Sequence, residues 1–241
     1  MPRRLLIALF TASACATGAP VGALLAENPG YEPFTRPATP IEPVPTVVEG
    51  APLPPLVVAP LARDTAVKTA RGLVGASRMV VGSRRYHDDC TGLVRAAYGE
   101  LGVDLMSEAT SGDNGVTAIY RFASRHGRIF DAGRPLPGDL VFFRETYDRN
   151  RDGRDNDGLT HVGLVDDVEA DGTVVIIHRV ARGVVRYRMN LGHPDMALST
   201  DGHRWNDWLR SPSPGAKPRL TGQLFAGYAT LLPVESRLAE H

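Results

Sequence analysis

The pattern of apolar and polar positions divides the chain after residue 61 into two parts. In the first part, apolar residues recur at the spacing of an amphipathic helix and predict helices over 64–76, 90–102 and 115–126. Asp88 or Asp89 is placed to cap the second helix, which Gly102 would end. Asp113 or Asn114 is placed to cap the third helix.

The second part contains short runs rich in β-branched and aromatic residues, which predict strands. These runs cover 137–143, where a Pro-Gly-Asp turn leads into the strand, and 161–165, 174–178, 183–188 and 225–232. Helices followed by consecutive strands are typical of the α+β class. The sequence therefore predicts one domain over 62–233, with N-terminal helices packed on an antiparallel β-sheet, and a C-terminal tail at 234–241.

The residues before position 62 are divided by their composition. Residues 1–18 are typical of an export signal, since two arginines precede a short apolar run and small side chains precede Cys15. The Ala-Ser-Ala-Cys sequence resembles a bacterial lipoprotein box, in which Cys15 would be lipidated; cleavage and secretion is the alternative. Eleven of the 19 prolines lie in the next segment and predict an extended or disordered linker over 19–61. We therefore expect an exported protein of the cell envelope or periplasm, anchored to the membrane through a lipid, or secreted.

Charge and cysteine content exclude several classes of protein. Lysine plus arginine and aspartate plus glutamate both number 27, so no net positive charge favours nucleic acid as a partner. The two cysteines, Cys15 and Cys90, are too few for a disulfide framework or a cysteine-only zinc site. Cys90 is then expected to be a free thiol, which is unusual in an oxidising compartment and points to a chemical role.

Cys90 stands at the predicted start of a helix. The helix dipole and the backbone N–H groups that lack partners there favour a thiolate, which is the nucleophilic form of cysteine. The alternative is a small buried cysteine that only packs in a core.

Two histidines are expected to lie on one face of the sheet. His161 opens one strand and His178 ends the next. A four-residue loop over 169–172 would pair Val168 with Thr173 and Gly163 with His178, which makes the two histidines diagonal neighbours within about 8 Å. Near Cys90, such a pair predicts a nucleophile with His161 as its general base and His178 as the residue that orients His161. A zinc site with Cys/His/His ligands is the alternative.

A second candidate site precedes the strand of His161. The segment from Asp148 to Gly153 fits the opening half of a calcium loop, with ligands from Asp148, Asn150 and Asp152. Leu159 stands where such a loop carries its bidentate glutamate, and interleaved arginines oppose a cation. The open alternatives are weak calcium binding and a solvated polar loop; no other cofactor is expected.

Four sequence blocks together resemble a known family. Asp-Cys-Thr-Gly-Leu-Val at 89–94, Pro-Gly-Asp-Leu-Val-Phe-Phe at 137–143, His-Val-Gly-Leu-Val at 161–165 and Ile-His at 177–178 occur in the order of NlpC-type cell-wall cysteine peptidases. These enzymes share a papain-like core with the CHAP amidase domains. The resemblance implies Cys90 as nucleophile, His161 as base and His178 as the third polar residue. It also implies peptidoglycan as the partner and hydrolysis of an amide in its stem peptides.

One part of the family pattern is absent. An aromatic-glycine run is usual before the cysteine, whereas this chain has Arg-Arg-Tyr-His at 84–87. Tyr86 takes the aromatic position in this interpretation, and Tyr86 and Asp89 are the candidate substrate-binding residues. Two other functions stay open: a catalytically silent peptidoglycan-binding or scaffolding lipoprotein, and an amidase or acyltransferase with another substrate.

Overall fold

The computed structural model describes residues 58–210 and 217–232, all within the compact unit Pro54–His241. The predicted signal at 1–18 with Cys15, the linker up to residue 57 and the tail at 234–241 lie outside the described residues. Within the described ranges, no helix is both long enough and apolar enough to cross a membrane.

Residues 58–210 and 217–232 contain four helices, three of them close to the predicted ones: α1 (Val58–Gly72), α2 (Cys90–Gly99), α3 (Gly115–His126) and the short α4 (Thr221–Leu224). Helix α1 begins at Val58, before the predicted start at Asp64, so the last four residues of the predicted linker, 58–61, are helical instead. Pro60 is tolerated there because it falls in the first turn, where a missing N–H costs nothing. The prediction that α2 ends at Gly102 was wrong. The helix ends at Gly99, and Gly102 adopts a positive φ of 74° in the turn that follows.

The caps of α2 and α3 arise from short polar side chains. Asp89 caps α2 by accepting a hydrogen bond from the N–H of Gly92 at 2.8 Å. Asn114 caps α3 by accepting from the N–H groups of Val116 and Thr117. Asp88, the other candidate, instead accepts from the N–H of Met79.

The strands of the main sheet are all antiparallel to their neighbours. The order across this six-stranded sheet is β3-β10-β4-β5-β6-β7. Its strands are β3 (Arg128–Phe130), β4 (Leu140–Arg144), β5 (Leu159–Val168), β6 (Val174–Val180), β7 (Gly183–Met189) and β10 (Phe225–Thr230). Two small ladders pair β1 (Val80–Val81) with β2 (Arg84–Arg85) and β8 (Trp208–Arg210) with β9 (Arg219–Leu220). The α+β class is confirmed, although β3 and the two small ladders were not predicted.

The sheet is covered on both faces. Alternate residues of β4 show this: Leu140 and Phe142 pack with the helices, whereas Val141 and Phe143 belong to a second apolar cluster on the other face. This two-sided burial explains the unbroken apolar run of β4. His161 lies on β5, which pairs with β4 and places it opposite Phe143.

Helix α2 lies against the segment that precedes it at two glycines. A Cβ on Gly92 would come 1.8 Å from the backbone oxygen of His87, and one on Gly99 would come 2.4 Å from the hydroxyl of Tyr86. The two glycines are seven residues apart and therefore share a face of the helix. Residues 86–87 can lie directly on α2 because this face carries no side chains at those points.

Gly92→Ala is expected to lower the free energy of unfolding by about 3 kcal/mol or more, since backbone rather than a flexible side chain blocks the added methyl group. Gly72→Ala is the matched control, because nothing lies within 4 Å of its Cβ position in α1. That control is expected to be neutral or slightly stabilising. Denaturant unfolding measures both, and a Gly92→Ala curve that overlays the wild type would contradict the packing described.

Candidate active site

The two histidines form a hydrogen-bonded pair inside the sheet. Nε2 of His161 lies 2.8 Å from Nδ1 of His178, and the ring planes are perpendicular. Both side chains are buried, at 8% and 1% exposure. The prediction that they share one face and lie close together is confirmed.

The register that brings the histidines together depends on a β-bulge. Val168 pairs with Val174, so the predicted pairing of Val168 with Thr173 was wrong. The register then shifts between Val165 and Asp167, and Leu164 pairs with Ile177. Beyond the bulge the register is therefore the one expected from the sequence, with Gly163 beside His178.

The ring of His178 packs beside an aromatic ring. Its Nε2 is buried and has no hydrogen-bond partner among the residues described. The ring of Tyr187 lies 4.4 Å from that of His178, centroid to centroid, in an edge arrangement with planes at 64°. Tyr187 in turn accepts a hydrogen bond on its hydroxyl from Arg182 at 3.0 Å. Tyr187 thus helps to fix the orientation of the inner histidine, a role that sequence reasoning did not assign.

Cys90 is a free, half-buried cysteine at the first position of α2. Burial raises the pKa of its thiol to about 11 and outweighs the backbone N–H of Val162, which favours the thiolate. The carboxylate of Asp89 raises the thiol pKa further, and the N–H groups at the start of α2 lower it. The expectation that the helix N-terminus would make the thiol acidic therefore does not hold for the free chain. The Val162 contact shows that the sulfur lies beside the residue that follows His161.

The histidine pair is uncharged at neutral pH. Burial lowers the pKa of His161 to about 4, with a smaller opposing effect from the Asp89 carboxylate. Burial, followed by the neighbouring His161, lowers the pKa of His178 well below its usual value. The site at neutral pH therefore holds a neutral thiol beside two neutral imidazoles.

This neutrality predicts a loss of stability in acid. His161 has its ordinary pKa near 6.5 when unfolded and about 4 when folded, so below pH 6.5 the unfolded chain binds the proton more readily. The free energy of unfolding is expected to fall by about 3 kcal/mol from this residue as the pH drops from 6.5 to 4. His178 acts in the same direction.

Denaturant unfolding at a series of pH values across this range measures the effect. His161→Gln is expected to make the fall smaller, and the slope that remains is expected to come from His178. A wild-type profile that is level from pH 6.5 to 4 would contradict the buried neutral pair.

The two candidate substrate-binding residues flank the cysteine in different ways. Asp89 uses one carboxylate oxygen to accept from the N–H of Gly92 and from the hydroxyl of Thr91, at 2.8 and 2.7 Å. Tyr86 is half-buried, with its hydroxyl against Gly99 of α2. Asp89 therefore organises the start of α2, and the role of both residues in substrate binding stays a prediction.

A cavity of about 610 Å³ opens next to these residues. Its lining is mostly basic and comprises Arg84, Arg85, Tyr86, His87, Asp88 and Arg95. Of these residues, the sequence assigned a role only to Tyr86, as a candidate substrate contact, and none to Arg84, Arg85 or Arg95. The two glycines on one face of α2 are the signal that could have shown where this segment folds.

The loop around the proposed calcium ligands is held by the protein's own groups. Asp148 accepts hydrogen bonds from the N–H groups of Asp152 and Gly153, and the side chain of Asn150 donates to Asp152. Asp155 of the same loop forms ion pairs at 2.6 Å with Arg210 and Arg219. Calcium binding stays a prediction, to be checked by calorimetric titration at millimolar concentration.

The Cys/His/His zinc alternative does not fit the donor geometry. One nitrogen of each histidine is used in the hydrogen bond between them. Among residues 58–210 and 217–232, three possible metal ligands come within 4.8 Å of one another only at Glu169, Asp171 and His203. Cys90, His161 and His178 do not form such a group.

The fold and this site together define an α+β protein with a free cysteine beside a buried histidine pair. Residues 80–179 match the family model of the CHAP domain, a segment that runs from β1 into β6 and contains Cys90, His161 and His178. The match is to the CHAP type and is consistent with the predicted resemblance to CHAP- and NlpC-related cell-wall peptidases. No curated protein matches the chain. The CHAP match suggests amidase or hydrolase activity, with peptidoglycan as the substrate.

Proposed function

We propose that the chain is an exported cysteine hydrolase that cleaves amide bonds in the stem peptides of peptidoglycan. The observation that carries the proposal is the 2.8 Å hydrogen bond between His161 on β5 and His178 on β6. The backbone N–H of Val162, the residue that follows His161, acts on the Cys90 thiol, so the cysteine lies against the same strand. A nucleophile, a base and a residue that orients the base are the minimum set for acyl transfer. The arrangement of a helix-borne cysteine against strand-borne histidines is the one expected of a papain-like core.

In the first half of the reaction, Cys90 attacks the carbonyl carbon of the amide. Its proton passes to Nδ1 of His161, the ring nitrogen that the bond to His178 leaves available. The negative charge that develops on the carbonyl oxygen is stabilised by the backbone N–H of Cys90, which as the first of the helix has no intrahelical acceptor. His161 then protonates the leaving amine, and the acyl group remains on the sulfur.

In the second half, water releases the acyl group. His161 accepts a proton from the water as its oxygen attacks the thioester, and the proton returns to the sulfur when the C–S bond breaks. Since both partners start neutral, no stable ion pair is required before the substrate arrives. The substrate also displaces water from the site, which strengthens the interaction of the developing charges.

A catalytically silent binding or scaffolding protein is the second candidate. The observation in its favour is the thiol pKa of about 11, which makes the resting cysteine a weak nucleophile at neutral pH. A silent protein has no need of the buried, hydrogen-bonded histidine pair, whose neutral imidazoles lower stability in acid. We therefore favour the enzyme.

The remaining parts of the proposal concern the rest of the chain. We infer export through the signal at 1–18, attachment to the membrane through lipidated Cys15, and a linker from residue 19 to the start of α1 at Val58 that holds the catalytic domain at a distance from that membrane.

Digestion of purified peptidoglycan by the full-length chain tests the proposal. The soluble products are identified by mass spectrometry, beside a reaction with the Cys90→Ala chain. Release of cut stem peptides by the wild type alone supports the hydrolase and identifies the bond. Products joined to an added amine indicate an acyltransferase, and absence of products from a folded wild type contradicts the proposed hydrolysis.

A further inference from the structure

The basic cavity and the Cys90 thiol lie on different sides of α2. Arg95, which lines the cavity, is three residues after Gly92 and four before Gly99, so it shares the helix face that the preceding segment covers. At 3.6 residues per turn, Cys90 lies about 140° around the helix axis from Arg95. The thiol is beside the N–H of Val162 in β5. The cavity is therefore a site separate from the candidate active site.

The lining of this cavity carries more positive than negative charge. It contains three arginines, Arg84, Arg85 and Arg95, and one carboxylate, Asp88. Three positive charges against one negative charge leave an excess of two among these four side chains. This local excess stands in a chain whose net charge is zero.

The one carboxylate is already engaged. Asp88 accepts a hydrogen bond from the N–H of Met79 at 2.8 Å and pairs with Arg85 at 3.2 Å. The Met79 N–H is the largest cause that holds the pKa of Asp88 below its usual value, against the effect of desolvation, and Arg85 and Arg179 lower it further. Arg179 of β6 thus adds a fourth positive charge near the cavity, and its Nε is buried without a hydrogen-bond partner among the residues described.

Two of the lining arginines have no anionic partner of their own. Within residues 58–210 and 217–232, neither Arg84 nor Arg95 forms an ion pair or a side-chain hydrogen bond. Arg84 is exposed on β2, and Arg95 is half-buried on α2. A guanidinium group carries five N–H donors in a planar fork that matches the oxygens of a phosphate. Both arginines therefore have donors available to a bound anion.

We propose that this cavity binds a phosphate group, with Arg84 and Arg95 as its cationic contacts. A phosphate ester carries about −1.5 to −2 charges at pH 7 and three acceptor oxygens, which match the excess of two positive charges better than a single carboxylate does. The volume of about 610 Å³ is in the range of small-molecule sites and leaves room for the organic part of the ligand. The assignment uses no residue that takes part in the proposed chemistry at Cys90.

Titration calorimetry of the full-length chain with inorganic phosphate tests the assignment. Acetate at the same ionic strength is the carboxylate probe. Arg84→Gln and Arg95→Gln each remove one contact, and Lys68→Gln is the matched control, because it removes one positive charge from an exposed position of α1 outside the cavity. Arg85 is left intact, since its partner Asp88 also holds the N–H of Met79. Thermal unfolding verifies that each variant is folded.

Phosphate is expected to bind with a Kd of about 1 mM or lower and about tenfold more tightly than acetate. Each arginine substitution is expected to raise the Kd for phosphate about tenfold, and Lys68→Gln to change it less than about twofold. No binding of phosphate, equal binding of acetate, or a Kd that both folded arginine variants leave unchanged would each overturn the assignment. The comparison of phosphate with acetate needs no variant, so it decides the matter even where a substitution unfolds the chain.

Lipid vesicles identify the source of the phosphate. In the Cys15→Ala background, which removes the predicted lipid anchor, the chain is co-sedimented with vesicles of phosphatidylglycerol, and with vesicles of phosphatidylcholine as the uncharged control. Binding to phosphatidylglycerol that Arg84→Gln and Arg95→Gln weaken, and that inorganic phosphate displaces, identifies a lipid headgroup. Phosphate binding without such vesicle binding identifies a soluble phosphate ester.

These measurements separate the cavity from the proposed hydrolysis, because they require no turnover. A chain that binds phosphate through Arg84 and Arg95 but does not cut peptidoglycan would leave the cavity assignment standing and remove the hydrolase. A chain that cuts peptidoglycan but does not bind phosphate would do the reverse.

Discussion

Replacement of Cys90 by alanine is expected to abolish peptidoglycan cleavage, with a fall in kcat of at least about 10⁴-fold. Alanine has no group that can form the acyl intermediate. Fold and stability are expected to change little, by less than about 1 kcal/mol, since the side chain is small and the cap from Asp89 to Gly92 does not involve it. Initial rates of product release, with thermal unfolding of the same samples, measure both effects.

Two further variants make this prediction specific to the thiol. Cys90→Ser keeps the size of the side chain but replaces the thiol by a much weaker acid, so we expect almost the same loss as for alanine. Substitution of the other cysteine, Cys15, is expected to leave the rate of the purified chain unchanged. Turnover by Cys90→Ala at the wild-type rate would contradict the mechanism.

His161→Gln is expected to lower kcat/KM by about 10³-fold, because no other group is placed to accept the thiol proton. In the wild type, kcat/KM is expected to fall as the pH drops toward about 4, where His161 becomes protonated and can no longer act as a base. This acid limb is expected to be absent from the residual activity of His161→Gln. Rates with one substrate from pH 4 to 8 measure both effects.

His178 provides the comparison that separates the base from the residue that orients it. In His178→Asn an amide can still accept the hydrogen bond from His161, and we expect a loss of about tenfold; His178→Leu, which removes the acceptor, should lose much more. Equal activities for the asparagine and leucine variants would show that the 2.8 Å contact has no part in the reaction.

Local signals predicted the elements that support the site. Helix α3 has the bounds expected from its apolar spacing, and its cap at Asn114 satisfies two N–H groups. The histidine pair was predictable because the side chains of a strand alternate and the connection between β5 and β6 is short. The pairing of Val168 was wrong, yet the bulge after Val165 restored the register at His178.

What the sequence could not show depends on contacts between distant segments. The raised pKa of Cys90 comes from burial against β5, which lies some seventy residues later in the chain. Helix-end electrostatics, a local effect, favoured the opposite conclusion. The basic cavity likewise depends on where residues 84–88 fold against α2, and this is set by the absence of side chains at Gly92 and Gly99.

The position of β10 has a consequence for how the chain folds during synthesis. This strand, Phe225–Thr230, pairs with β3 on one side and β4 on the other, although it is the last strand of the described chain. Until β10 has left the ribosome, β3 and β4 have no partner at the edges that β10 later joins. Pairing of such distant segments is slow, and open edges of this kind favour association with other chains. A chain cut short before Phe225 would therefore leave the edges of β3 and β4 open, and the sheet can close only after synthesis has passed residue 230.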